Sequence, residues 1–325
     1  MVRVIYLRHG SAPPPARRVS DPTALRLTER RNPRTAKIDV ATPLEIVDLI
    51  GAEDATVPAA VARARVEIAR AIELIEASFR AGGRLIYVGA GSSGRLGVLD
   101  AAECPPTFGT PPEMVIGLIA GGTPALLKSV EGAEDDPNAG IAEMDARRVG
   151  PNDTVVGIAA SGTTTYVRAA LGRAQALGAR TVFLTCSEPP AILRDTCDVT
   201  IAALTGPEVV TGSTRMKAGT ATKLVLNTLT TGAMIRLGKT YGNLMVDLKA
   251  WNAKLVDRGE RIVMEVTGVE RAAARAAIDA AGGGVRTAIV MAARGVSRTE
   301  AEALLAGHDN HLRPILGDPP PVAGA

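Results

Sequence analysis

The chain has 325 residues, 46% of them apolar and 22% charged, which excludes a disordered or fibrous chain and fits one large α/β domain or two ordinary ones. Lys and Arg number 37 against 34 Asp and Glu, a net charge of +3 with no long basic run, so nucleic acid is not an indicated partner. Aromatic residues make up only 2%, too few for base-stacking platforms or an aromatic-lined sugar cleft. Cys104, Cys186 and Cys197 are too few and too scattered for a disulfide frame or a tetrahedral zinc site, so no metal is expected. No stretch of 18 apolar residues occurs and the first residues lack a signal-type apolar region. These features predict a reduced, cytoplasmic protein with no membrane partner.

Residues 1–26 read as an N-terminal extension, flexible and separate from the rest of the chain. A short strand-like run leads to Arg8-His9-Gly10, which resembles the phosphohistidine signature of histidine phosphatases. Such a phosphatase needs a second histidine on a full α/β domain. Only His308 and His311 remain, near the other end of the chain, and the pattern between belongs to something else. From Thr42 the pattern turns helical. Thr42-Pro43-Leu44-Glu45 supplies an N-cap, a proline at the first helical position and a carboxylate in the first turn. A second helix is predicted from Val57 through about Arg80, with Val61, Ala64, Ile68, Ala71, Ile72 and Ile75 on one apolar face.

Five apolar, β-rich segments then alternate with turns and helical stretches: 85–88, 114–119, 154–159, 181–185 and 199–202. Apolar strands joined by helical crossovers predict an α/β fold, a doubly wound parallel sheet with helices on both faces. A long helix is predicted to run from Gly212-Ser213-Thr214 to about Leu237, and short helical patterns over 255–316 predict a small C-terminal helical subdomain. The expected division is 27–254 for the sheet domain, 255–316 for the helical subdomain and 317–325 for a Pro/Gly/Ala tail.

The strand–helix turns carry the chemistry. In Gly89-Ala90-Gly91-Ser92-Ser93-Gly94, small residues let backbone N–H groups approach an anion at a helix N-terminus, and Ser92 and Ser93 add donors. No Lys follows, so this is not a Walker loop. The glycine spacing fits a dinucleotide fingerprint, but the next strand ends in Ile119-Ala120-Gly121-Gly122 without the required acid, which argues against NAD. Ser161-Gly162-Thr163-Thr164-Thr165 repeats the arrangement. One such turn is ordinary capping; two at the ends of separate strands favour a phosphosugar cleft. A third cluster, Thr211-Gly212-Ser213-Thr214, carries Arg215 and Lys217. On composition alone Glu103 reads as a surface residue, and Glu131, Glu134 and Asp135 as a solvated acidic helix end. Cys104 has no histidine near it in sequence and reads as a small buried thiol rather than a nucleophile.

Together these segments resemble a sugar isomerase (SIS) domain, and more closely the N-acetylmuramic acid 6-phosphate etherase family. The resemblance is carried by the run from Leu85 to Gly97, Asp100-Ala101-Ala102-Glu103-Cys104-Pro105-Pro106-Thr107-Phe108-Gly109, Val130-Glu131-Gly132-Ala133-Glu134-Asp135, the run from Glu208 to Thr220, and Gly242-Asn243-Leu244-Met245-Val246-Asp247. It extends from about Leu27 to Leu316; Ser92 stands where the family often has Thr.

The resemblance implies an SIS-type fold and a cytoplasmic homodimer without metal or nucleotide cofactor. It implies a carbon–oxygen lyase acting on N-acetylmuramic acid 6-phosphate, which loses D-lactate from C3 and gains water to give N-acetylglucosamine 6-phosphate in cell-wall recycling. It makes Glu103 a catalytic acid/base, expected in an apolar surrounding fixed by Pro105 and Pro106, and Glu134 the second catalytic residue. The 6-phosphate falls to Gly91, Ser92, Ser93, Ser161, Thr163 and Thr164, with Ser213 nearby, and Arg215 or Lys217 is expected to pair with the lactyl carboxylate. Two other readings share the loops: a non-catalytic phosphosugar sensor like the glucokinase regulatory protein, and a phosphosugar isomerase. The sensor has no need of Glu103, and isomerases of this fold lack the long Glu-Cys-Pro-Pro and Gly-Ser-Thr-Arg-Met-Lys stretches.

Overall fold

Residues 26–248 and 253–322 are described by the computed structural model. The Arg8-His9-Gly10 signature and nearly all of the predicted extension lie outside them. The expected strands form: β1 (Leu85–Gly89), β2 (Val115–Ile119), β3 (Thr154–Ile158), β4 (Arg180–Thr185) and β5 (Val199–Ala202). They make one parallel sheet in the order β2-β1-β3-β4-β5. Alternate residues of β1 point to opposite faces. Leu85 and Tyr87 join a core closed by α3 (Arg65–Arg80), α4 (Gly91–Phe108) and α9 (Lys217–Arg236). Ile86 and Val88 join a second core closed by α6 (Pro137–Ala146), α7 (Thr165–Ala176) and α8 (Ala191–Thr196). A short α5 (Pro124–Leu127) follows β2.

Ahead of the sheet, α1 (Pro43–Asp54) opens with Thr42 and Glu45 in a reciprocal capping box. The single helix expected from Val57 to Arg80 is two, α2 (Val57–Arg63) and α3, broken at Ala64. The break separates two packing tasks. Val57 enters a small cluster with Cys186, Ala203, Ala218 and Ala221, whereas Ile68, Ala71 and Ile75 enter the main core. No Gly or Pro marks the break, so periodicity runs straight through it.

Beyond α9, a two-stranded hairpin of β6 (Thr240–Tyr241) and β7 (Leu244–Met245) precedes α10 (Ala253–Thr267), α11 (Arg271–Ala280), α12 (Val285–Arg294), α13 (Arg298–Gly307) and α14 (Arg313–Leu316). These helices bury their own core around Val263, Ile278, Val285 and Ile289.

The seat of α4 on the sheet matters most for function. A Cβ added at Gly117 of β2 would lie 2.5 Å from Val98 Cα, and one at Gly94 would lie 2.7 Å from Ile119 Cγ1. Backbone therefore packs on backbone, and no rotamer change can relieve an added methyl at Gly117. Overpacking of this kind costs about 1–3 kcal/mol. Gly117→Ala should lower the urea midpoint accordingly with an unchanged slope; a variant as stable as wild type would refute the steric argument.

Candidate active site

The connection from β1 runs one way to β2 and that from β3 runs the other way to β4, so the sheet has its topological switch point between β1 and β3, where open α/β sheets bind ligands at the carboxyl ends of the strands. The first two hydroxyl loops flank this point. Gly91 has φ of +52°, and nothing lies within 4 Å of where its Cβ would be. Small size here leaves open space, not packing. Ser92 and Ser93 are half-buried in the first turn of α4, whose N-cap Ala90 gives no side-chain cap. The first-turn N–H groups are therefore free to meet an anion. Across the switch point, the Ser161 and Thr163 hydroxyls lie 2.9 Å apart, and Thr164 begins α7 without capping it. Arg26 donates from Nη1 to the Ser161 carbonyl at 2.8 Å. By contrast α1, α6 and α13 are capped by Thr42, Asp136 and Ser297. Ordinary capping does not account for the hydroxyls at the switch point.

The two catalytic candidates part company. Glu134 sits in a single 3-10 turn, Ala133–Asp135, and lines a cavity of about 340 Å³ with Gly91, Arg95, Val130 and Glu131. Glu103 lies on α4, eleven residues after Ser92. That is three helical turns, so both point the same way, about 16 Å apart along the axis. The apolar enclosure expected around Glu103 does not exist within one chain: the residue is exposed, and Leu99, one turn earlier, is 52% exposed. The helix runs through Pro105 and Pro106 until Gly109 turns left-handed, because Cys104 and Phe108 are drawn into the core.

The third cluster divides too. Ser213 is half-buried, and its N–H is bonded to the Val210 carbonyl. Arg215 reaches a second cavity, of about 420 Å³, lined by Ser92, Arg95 and Leu96 of α4 and by Gly219, Thr220 and Lys223 of α9. Lys217 does not reach it. Its side chain is buried, with Nζ donating at 2.7 Å to Glu53 and at 3.0 Å to the Thr205 carbonyl. The expected contact of Lys217 with a substrate carboxylate is thereby corrected: a buried ammonium needs a buried partner, and it has one. Arg95, Thr220 and Lys223 were not foreseen. Of these only Lys223 left a signal, its spacing of four from Gly219, which sets the two on one face of α9.

Comparison with known proteins fixes the family. Residues 67–175 match the glucokinase regulatory protein N-terminal SIS domain. An N-acetylmuramic acid 6-phosphate etherase of Edwardsiella ictaluri (strain 93-146) is 53% identical over 292 residues, 90% of this chain and 97% of that one. Another, from Rhodopirellula baltica, is 51% identical over 292 residues, 90% and 96% of the two chains. The chain belongs to the N-acetylmuramic acid 6-phosphate etherase family. Among solved structures, the phosphoheptose isomerase GmhA of Neisseria gonorrhoeae overlays with a TM-score of 0.46 at 18% identity, over 58% of this chain and 97% of that one.

In this etherase-family chain, polar groups buried behind the loops fix the helices that carry them. Asp100 of α4 accepts from Tyr87 Oη at 2.9 Å, from Asn227 Nδ2 at 2.8 Å and from Thr230 Oγ1 at 3.3 Å. Burial raises its carboxyl above the ordinary range, and these three bonds pull it back in part. The network ties α4 to β1 and α9. Cys104 donates to the Asp100 carbonyl, and its thiol is pushed up to about 12, by burial first and then by Asp100 and Glu103. A thiol so protonated is no nucleophile at neutral pH. A further cavity, of about 900 Å³, lies at the other end of the sheet, by Arg80, Arg236, His308 and His311. Arg80 and Arg236 there share Glu76, and the cavity contains none of the loop residues.

No helix among the described residues is long and apolar enough to cross a membrane.

The Lys217–Glu53 pair gives a pH test. Hydrogen bonds from Arg34 and then Lys217 outweigh burial and hold the Glu53 carboxyl at about 2. A depressed carboxyl stabilises the fold above its unfolded pKa, and that contribution is lost as pH falls toward the folded value. Glu53→Gln leaves a buried ammonium uncompensated and should cost about 3–5 kcal/mol at pH 7. The gap to wild type should narrow as pH drops from about 4.5 toward 2. Equal stability of the two proteins at pH 7 would remove the pair from its structural role.

Proposed function

We propose that this protein is an N-acetylmuramic acid 6-phosphate etherase: it removes D-lactate from C3 of its substrate and adds water, leaving N-acetylglucosamine 6-phosphate. The observation that carries the reading is the position of Glu134, which shares a cavity with Gly91 at the uncapped start of α4. A carboxylate beside an anion cradle suits proton transfer on a phosphosugar. The 6-phosphate takes the N–H groups and hydroxyls of Gly91, Ser92, Ser93, Ser161, Thr163 and Thr164, with Ser213 nearby.

Direct displacement of an ether at a secondary carbon is slow. Opening the sugar ring gives an aldehyde at C1 and acidifies the hydrogen on C2. A carboxylate removes that proton, C2 and C3 become doubly bonded, and the C3–oxygen bond breaks as the leaving lactate oxygen gains a proton. Water then adds its oxygen to C3 and a proton returns to C2. We assign Glu103 to the C2 proton and the lactate oxygen, and Glu134 to ring opening or water addition.

Glu103 can play that part only in a homodimer. Its position about 16 Å along α4 from Ser92 exceeds the reach of any side chain in the same chain. A two-fold pairing that runs α4 antiparallel to its mate sets the partner subunit's Glu103 beside Ser92 and covers the exposed Leu99 on both copies. The enzyme acts in the cytoplasm.

In water labelled with ¹⁸O, the purified protein should release D-lactate and place the label at C3 of the amino sugar. Binding of the phosphosugar without lactate release would favour a sensor. Glu103→Gln should retain binding and lose about 10³-fold or more in rate. Mixing inactive Glu103→Gln with inactive Glu134→Gln should restore about a quarter of wild-type activity, because half the dimers are hybrids with one intact site. No restoration after subunit exchange would place both residues in one chain's site.

A further inference from the structure

The cavity between α4 and α9 has a chemistry of its own. Among the described residues its cations are Arg95, Arg215 and Lys223, and no carboxylate lines it. Arg95 donates to the Leu126 and Ala125 carbonyls at 3.1 and 2.7 Å, which hold the guanidinium in place without neutralising it. Among the described residues, neither Arg215 nor Lys223 forms an ion pair; their exposed side chains reach the cavity from just before α9 and from its second turn. Asp100 feels the charge of Lys223 from behind the cavity, but both its oxygens are engaged by Tyr87, Asn227 and Thr230. The α9 N-terminus adds little positive potential, because the buried Glu208 carboxylate accepts from the Lys217 and Ala218 N–H groups at 3.0 and 2.9 Å. Gly219 contributes no side chain, and only the Thr214 carbonyl at 3.6 Å lies near where its Cβ would be. The cavity is thus a small cationic chamber whose charge comes from three side chains.

It adjoins the cavity of Glu134. Arg95 lines both, and Ser92 of one follows directly on Gly91 of the other. A single sugar-sized ligand can occupy the two together. Resting on the function proposed above, the substrate carries two anions, a phosphate monoester and a lactyl carboxylate. The backbone N–H groups at the switch point suit the phosphate. A planar carboxylate suits a guanidinium with a lysine beside it.

We propose that Arg215 and Lys223 bind the lactyl carboxylate in the α4–α9 cavity, with Gly219 keeping room for it, and so distinguish the ether substrate from its product. Binding is measured by calorimetry in a Glu103→Gln background, where the C2 proton is not removed and the substrate is not consumed. Lys223→Met and Arg215→Met should each weaken N-acetylmuramic acid 6-phosphate by about 10- to 100-fold, while the affinity for N-acetylglucosamine 6-phosphate, which lacks the lactyl group, stays within about twofold. Lys223→Arg should recover much of the loss. Gly219→Ala should act in the same selective direction without unfolding the chain, shown by an unchanged melting temperature. An equal loss for both ligands would mean that the cavity holds the phosphate and would overturn the proposal, as would no loss for either. Failure of the etherase reading is separate: wild type would then release no lactate, whatever the binding measurements gave.

Discussion

Everything at this site depends on how closely α4 lies on the sheet. Gly94 and Gly117 remove the side chains that would hold helix and strands apart, and Asp100 then pins the same helix to Tyr87 of β1 and to Asn227 and Thr230 of α9. A helix so fixed cannot swing its first turn away from the switch point. The open N–H groups of that turn are paid for elsewhere, by the packing of Ala101, Cys104 and Phe108 into the main core. Preorganisation of this kind lets backbone dipoles meet an anion with little rearrangement.

Two helix starts in one molecule are put to opposite uses. The N-terminus of α9 is closed by Glu208, a carboxylate from its own chain whose pKa is raised by burial and held back by the two N–H groups it accepts from. Among the described residues, no side chain caps the N-terminus of α4. An internal carboxylate there would compete with a ligand for the same donors, so leaving the turn uncapped is the condition for binding at it. The buried Lys217–Glu53 pair serves the closed end: it anchors the segment that carries Ser213 and Arg215 to α1. Arg34 on the other side of Glu53 ties the chain before α1 into the same knot.

The strands and their crossovers were legible because each apolar segment ends in glycine or hydroxyl residues, and those punctuations are local. The same holds for the Thr42–Glu45 capping box. What was hidden depends on distant partners. Lys217 looks solvated within Arg215-Met216-Lys217, and only Glu53, 164 residues away, explains its burial. The break at Ala64 has no local marker and arises from the different surfaces that α2 and α3 must cover. Arg95 does not stand out in sequence; it becomes a neighbour of Lys223 because α4 and α9 pack together. The hairpin at Thr240–Met245 is too short to leave a period.

Glu103 shows a different limit. Its motif marks it through family resemblance, yet its environment in one chain is that of a surface residue. A rigid helix separates it from Ser92, and no side-chain rotation or loop closure shortens a distance measured along a single helix. Either the residue has no part in chemistry at the switch point or a second copy of α4 supplies it. The exposed Leu99 between the two positions favours the second, since an apolar side chain one turn from an exposed acid gains by being covered. In the isologous pairing proposed above the same covering would happen twice, so a single helix face would account for both the assembly and the completion of two sites.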